Sequence, residues 1–277
     1  MSEALVRFVH ISDTHIEPED GVSKRIDEAI ERESARTELP DYVRDFIQNI
    51  LDEQRTNEYP YPSTVQAARA LVSAINNLKA PIDFVLHTGD IAQQGTPVEY
   101  DLVREIFESL ESPIHYVNGN HDNVESLYSG LLRLETSTEP YDYTFEMNGV
   151  AFICVDSATS GVGTDWHLSD EQLAWLESQI AATDDRPLVI AIHHPPYQIF
   201  HDAKDYFMLR NADAVHGVLK AVGPRLRGVF SGHVHYAMNR MRDGVFYSVA
   251  PKPYSYIPGF SIVTVTDDGI LVDRHRF

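Results

Sequence analysis

Five short polar motifs punctuate this chain, and each follows an apolar run that reads as a strand. They are Asp13-Thr14-His15, Gly89-Asp90, Gly119-Asn120-His121-Asp122, His193-His194-Pro195-Pro196 and Gly232-His233-Val234-His235. Open α/β sheets carry their chemistry at the carboxyl ends of their strands, and the motifs fall just there. The fold therefore has to gather strand ends that lie as far apart in the chain as Asp13 and His235.

The apolar runs predict strands over Leu5–Ile11, Ile82–Thr88, Ile114–Val117, Val150–Val155, Leu188–His193 and Gly228–Ser231. Most are short and bounded by turn residues, as strands buried on both faces are. Helices with clear start signals come between them. Ser63 with Gln66 and Ser169 with Gln172 read as capping boxes, and Thr96-Pro97-Val98-Glu99 adds a proline at the first helical position. This alternation argues for an α/β architecture. After Ser231 the pattern becomes antiparallel. Tyr236–Met241 and Val245–Val249 flank Arg242-Asp243-Gly244, and Phe260–Val265 and Ile270–Arg274 flank Asp267-Asp268-Gly269.

Residues 17–62 stand apart. Ile26, Ala29 and Ile30, and then Tyr42, Val43, Phe46, Ile47, Ile50 and Leu51, recur at helical spacing on either side of Pro40. This predicts a helical hairpin inserted right after His15, with 13 acidic and 6 basic side chains. Its apolar stripes must be buried against something. The expectation is a cap over the strand ends; the alternative is a dimerisation arm in a homo-oligomer. No repeat, low-complexity tract or linker divides the chain, so residues 1–277 read as one domain carrying this insertion.

The formal net charge is −20, and no basic cluster is visible. A nucleic-acid partner is disfavoured, because neutralising phosphates needs such clusters. No apolar run approaches the roughly 18–20 residues of a membrane span. The start, Met1-Ser2-Glu3-Ala4, lacks the pattern of a signal peptide, and a cytoplasmic location is expected. The single cysteine, Cys154, lies within an apolar run and reads as a buried small hydrophobe.

Together the motifs offer carboxylate, imidazole and one amide oxygen, but no thiolate. That mixture suits Mn, Fe, Zn or Co better than Mg or Ca, which prefer all-oxygen shells. Asp13 and His15, like His233 and His235, are two residues apart, so each pair can point the same way along a strand. Seven of the thirteen histidines (His10, His87, His115, His167, His201, His216 and His275) lie outside the motifs and read as packing or surface residues, His201 having a further reading only as a loop candidate.

Taken in order, the five motifs resemble those of the calcineurin-like metallophosphoesterase superfamily. The resemblance implies a four-layer α-β-β-α sandwich of two mixed sheets and a dinuclear centre whose bridging hydroxide attacks phosphorus. Residue by residue, it implies that Asp13, His15 and His235 hold one metal, that Asn120, His193 and His233 hold the other, and that Asp90 bridges them. Manganese, or an iron–manganese pair, comes first among the cofactors. His121 would stand beside the leaving group with Asp122 orienting it, and His194, next to the ligand His193, would either support the ligands from behind or face the substrate.

The branch is narrowed by Gln93 and Gln94, which occupy the places of the acidic residue and the phosphate-clamping arginine of the protein phosphatases in this superfamily. Gly89–Asp122, the His193–Pro196 run and Trp166–Leu176 are instead similar to bacterial class III cyclic-nucleotide and glycerophosphodiester phosphodiesterases. A small phosphoester substrate is implied, with a 3′,5′-cyclic nucleotide first. The alternatives are a phosphomonoesterase or nucleotide-pyrophosphate hydrolase, and a non-catalytic metal-dependent binding protein. Specificity should come from loops. The candidate is Tyr197–Arg210, where Tyr197, His201, Tyr206, Phe207 and Arg210 could stack on or pair with a substrate.

Overall fold

The computed structural model describes residues 3–18, 59–159, 166–198 and 209–277. Almost all of the 17–62 insertion lies outside these residues, as do His201, Tyr206 and Phe207.

Eleven strands and four helices of eight residues or more form the described structure. The strands are β1 Ala4–Ile11, β2 Phe84–His87, β3 Ile114–Tyr116, β4 Tyr143–Met147, β5 Val150–Val155, β6 Leu188–Ile192, β7 Leu226–Ser231, β8 Met238–Arg242, β9 Val245–Val249, β10 Gly259–Thr266 and β11 Ile270–Arg276. The helices are α1 Thr64–Asn76, α2 Pro97–Phe107, α3 Asp170–Ala182 and α4 Ala212–Val222. One sheet has the order β11-β10-β1-β2-β3 and the other β4-β5-β6-β7-β9-β8. Both are mixed. β1, β2 and β3 run parallel while β10 pairs antiparallel to β1. In the second sheet β5, β6, β7 and β9 run parallel, and β4 and β8 are antiparallel edges.

Strand alternation distributes the core over three layers of contact. Phe8, Phe84 and Leu86 of the first sheet meet Phe152, Val189 and Phe230 of the second. Their neighbours Val9, Ile11 and Val85 face outward onto Leu71 of α1 and Val103 of α2. On the far side Ile153, Ile190 and Val229 pack on Leu176 of α3 and Leu219 of α4. Helix, sheet, sheet and helix are thus stacked as the α-β-β-α sandwich expected. Between the sheets the aromatic rings interlock: Phe8 stacks on Phe84 at 5.1 Å and meets Phe152 edge-on at 5.8 Å.

The start signals act as predicted. Thr96 and Ser169 form reciprocal capping boxes with Glu99 and Gln172, and the Ser63 hydroxyl accepts from the Gln66 N–H at 3.2 Å. Two elements were not anticipated. Helix α4 has no side-chain cap, because Asn211 turns away to bridge Leu168, accepting from its N–H at 3.2 Å and donating to its carbonyl at 2.8 Å. Strand β4 is an edge strand whose alternation of Tyr143, Phe145 and Met147 with Thr144 and Glu146 is legible, as is its Asn148-Gly149 turn at φ 50° and 79°. The two C-terminal hairpins form as expected but join different sheets, β8–β9 one and β10–β11 the other.

Candidate metal centre

The polar motifs begin where β1, β2 and β7 stop. Asp13, His15, Asp90, His233 and His235 all adopt left-handed backbone, with φ of 55°, 44°, 53°, 68° and 63°. That conformation costs a non-glycine residue about 1–2 kcal/mol. These five account for most of the nine such residues in the described chain, so strain is concentrated where side chains are turned inward. The candidate ligands therefore do not extend strand alternation, as the i, i+2 spacing implied; a turned backbone aims each one separately. Hydrogen bonds between loops hold the turns: the Asp13 N–H donates to the Gly89 carbonyl and the His15 N–H to the Asp90 carbonyl, both at 3.0 Å. Gly89 sits at φ 96° against the imidazole of His193, and a Cβ there would lie 2.5 Å from Nδ1.

Two groups of donor atoms result. In the first, Asp13, His15, Asp90 and His235 offer atoms all within 4.8 Å of one another. His235 Nε2 is 3.3 Å from Asp13 Oδ1 and 3.2 Å from His15 Nε2, which is 3.6 Å from Asp90 Oδ2. In the second, His193, His194 and His233 converge within the same limit. Asn120 Oδ1 is 3.1 Å from Nε2 of both His193 and His194. Asp90 joins the groups, since the Oδ2 that faces His15 also lies 3.4 Å from His193 Nε2. Its Oδ1 accepts from the His121 N–H at 2.9 Å. With bonds of about 2.0–2.2 Å, ligand atoms around one cation are about 3.0–3.6 Å apart, which is the spacing seen here.

A stricter test comes from the proton on His193. Its Nδ1 is 2.7 Å from the Thr88 carbonyl, which only accepts, so Nδ1 carries the hydrogen. Nε2 then faces Asn120 Oδ1 and Asp90 Oδ2, lone pair against lone pair, unless positive charge lies there. The electrostatics agree. Burial works to lower the pKa of His193, but the charge and hydrogen bond of Asp90 outweigh it and push it up to about 9. The place thus calls for a cation, and a metal ion suits it as well as a proton does. Around it, burial above all, with Lys252 and then His121 near His15 and with His233 and His193 near His194, holds His15 and His194 well below the usual imidazole range. They are therefore neutral, the form that ligates metals.

His121 stands at the rim, half-buried, with its ring edge-on to His15 at 4.7 Å. Its Nδ1 lies 2.9 Å from the Gln93 backbone carbonyl and donates to it. This corrects the role expected of Asp122. The Asp122 carboxylate does not orient His121; it accepts from the N–H groups of Ile91, Ala92 and Gly119 at 3.0–3.1 Å and from the Tyr100 hydroxyl at 3.1 Å. It ties the loop of Asp90 to the loop of Asn120. Burial and the nearby Asp90 push its pKa up to about 7, against the pull of those backbone donors.

Asp122→Ala would leave three backbone donors without their acceptor, at about 1–3 kcal/mol for each buried group. We expect a Tm lower by roughly 5 °C or more. An unchanged melting curve with reduced turnover would restore the orienting role.

The remaining candidates divide. His194 points into the second group, its Nδ1 2.9 Å from the Ser157 hydroxyl. Trp166 stacks on His194 at 4.3 Å and meets His233 at 4.9 Å. Arg210 is exposed, and its backbone N–H donates to the Trp166 carbonyl at 2.8 Å, which places it at the edge of this group. Tyr197 belongs to the core instead. It is 1% exposed, its ring 4.6 Å from that of Tyr247 with Arg240 over it at 5.7 Å, so it offers no face to a substrate. Gln93, Thr88, Ser157 and Trp166 were not singled out for these roles. Thr88 acts through its backbone carbonyl, which any residue carries, and Gln93 through its carbonyl together with its side-chain amide, whose Nε2 lies 3.2 Å from His121 Nδ1. Ser157 did leave a signal: a polar residue following the apolar run of β5, as the motifs follow theirs.

Comparison with known proteins follows the same lines. A family model described as calcineurin-like phosphoesterase matches residues 6–237. A probable cyclic nucleotide phosphodiesterase of Rhodococcus erythropolis is 30% identical over 186 residues, 66% of this chain and 61% of that protein. A probable glycerophosphodiester phosphodiesterase of Arcobacter nitrofigilis is 31% identical over 187 residues, 65% of this chain and 66% of that protein. The match thus spans just under two thirds of either relative's length. A dimetal phosphatase from Danio rerio shares the fold, with a TM-score of 0.68 over 99% of this chain and 96% of that one, at 15% identity. Among the described residues no helix is long and apolar enough to cross a membrane.

Proposed function

Because this chain belongs to the calcineurin-like phosphoesterase family, we propose that it is a metal-dependent hydrolase of small phosphodiesters, with 3′,5′-cyclic nucleotides first among its substrates. The observation that carries the reading is the position of Asp90 Oδ2, 3.6 Å from His15 Nε2 and 3.4 Å from His193 Nε2. One carboxylate oxygen serves both donor groups. Asp13, His15 and His235 would hold one ion and Asn120, His193 and His233 the other, with His194 beside the second. The mixed nitrogen and oxygen donors suit manganese or an iron–manganese pair. When bound, such ions neutralise charge on the phosphoryl oxygens and make an attacking water more acidic.

The chain's own residues do the rest. His121 gives a proton from Nε2 to the departing oxygen, and the Gln93 carbonyl at Nδ1 fixes which ring nitrogen faces it. Asn120 and Asp90 fix the imidazoles of the second group. Gln93 and Gln94 put no arginine clamp on the phosphate, which fits a diester better than a dianionic monoester. The relatives named as cyclic-nucleotide and glycerophosphodiester phosphodiesterases support the same substrate class.

The test is a panel: protein stripped with a chelator and reloaded with Mn²⁺, offered cyclic AMP, cyclic GMP, glycerophosphoethanolamine and 4-nitrophenyl phosphate. Diesters should be turned over faster than the monoester, and the stripped protein should be inactive. A monoester preferred over every diester would make the chain a phosphomonoesterase. Metal bound without turnover would make it a binding protein.

A further inference from the structure

Beside His235 the surface opens into a pocket of about 440 Å³. Its wall is the 251–258 loop between β9 and β10, with the end of β11 behind it. Three properties set it apart. Of the seven large apolar side chains exposed in the described chain, three line this pocket: Tyr236, Tyr256 and Ile257, exposed by 38%, 43% and 42%. Such clustering marks a ligand surface rather than chance exposure. Tyr254, also in the wall, already stacks ring on ring with Tyr59 at 4.8 Å and 29°. Finally, in a chain of net charge −20 with only five lysines, the wall carries Lys252, Arg274 and Arg276.

Lys252 marks the junction with the metal-binding groups. Its Nζ lies 3.5 Å from His235 Nδ1, on the side of the imidazole away from Asp13. With a metal on Nε2, Nδ1 of His235 keeps its hydrogen and offers the ammonium no lone pair. The ammonium puts a positive charge at the mouth of the pocket, which suits a phosphate oxygen.

We propose that this pocket receives the nucleoside part of the substrate, the base lying among Tyr236, Tyr254 and Tyr256, while Lys252 meets a phosphate oxygen at the mouth. The proposal rests on the phosphodiesterase reading and narrows it to diesters that carry a nucleobase. A base offers a flat π-face to the tyrosines, whereas glycerol and ethanolamine offer none. Stacking on an aromatic side chain changes affinity by roughly 5- to 100-fold. The selectivity between the two kinds of diester should therefore reside in the tyrosines, and the general affinity for phosphate in Lys252.

The experiment uses the full chain loaded with Mn²⁺ and three variants. Tyr256→Ala removes an exposed ring, Tyr254→Leu keeps apolar bulk but loses the π-face, and Lys252→Met removes the charge. Two ratios are read: kcat/KM for cyclic AMP over glycerophosphoethanolamine, and calorimetric affinity for adenosine 5′-monophosphate over glycerol 3-phosphate. In wild type both should favour the nucleotide. The two tyrosine variants should lower both ratios by about 5-fold or more. Lys252→Met should weaken all four ligands and leave the ratios within twofold. Equal affinity for the two phosphates in wild type, or ratios unmoved by either tyrosine variant, would overturn the proposal. If wild type turns over neither diester nor bis(4-nitrophenyl) phosphate, the phosphodiesterase reading has failed, and the calorimetric ratio still decides the pocket.

Discussion

Asp90→Ala should cost this protein more than any other single change among the ligands. The Asp90 carboxylate does three things at once. Oδ2 faces His15 and His193, Oδ1 holds the backbone of His121, and its charge outweighs the effect of burial on His193. Removing it takes a donor from both groups and leaves His193, His194 and His233 with no carboxylate to balance the charge of a cation, whereas Asp13 still serves His15 and His235. We expect elemental analysis to find about two metals per wild-type chain and fewer than about one in the variant, with kcat/KM lower by on the order of 10³-fold or more. Asp13→Ala should be milder in metal content, because Asp13 belongs to the first group only. A metal-free wild-type chain with full activity would refute the metal-dependent reading altogether.

His121→Ala should separate chemistry from metal binding. The ring sits at the rim, held by a backbone carbonyl rather than by the carboxylates, so its loss should leave metal content near wild type. Turnover of a diester with a poor alkoxide leaving group should fall by roughly 10²–10⁴-fold, the usual contribution of general acid catalysis. A 4-nitrophenolate leaves without help, so the loss on bis(4-nitrophenyl) phosphate should shrink to roughly tenfold or less. Equal losses on both substrates, at unchanged metal content, would mean that His121 positions the substrate instead of protonating it.

Much of the site could be read from residues alone, and the exceptions share a cause. Donor chemistry restricts residue type, so the five motifs were visible as Asp, Asn and His clusters after apolar runs. The contacts that finish the site leave no such trace. His193 is oriented by the carbonyl of Thr88 and His121 by that of Gln93, with the Gln93 side-chain amide alongside, and a carbonyl belongs to every residue. Asp122 follows His121 in the chain, and adjacency suggested a pair. In the fold its carboxylate turns to the N–H groups of Ile91, Ala92 and Gly119, because a buried loop cannot leave its donors unpaired. Tyr197 follows the His193–Pro196 motif and resembled a substrate contact. It packs on Tyr247, a residue 50 positions away whose proximity is a matter of sheet order.

The sequence by itself pointed to the α/β class, to most of the strands and the capped helices, and to the side chains that gather in the two donor groups. These follow from short-range rules: the period of apolar residues, the hydrogen bonds of a helix start, and the donor atoms a side chain owns. Only the tertiary structure decided which sheet each hairpin joined, which nitrogen of His193 faces the Thr88 carbonyl, and that Lys252, Tyr254 and Arg274 line one pocket beside His235. Those depend on distances between residues remote in the chain. Such distances are set by how two twisted sheets pack their faces, and neighbouring residues in the sequence carry no record of them.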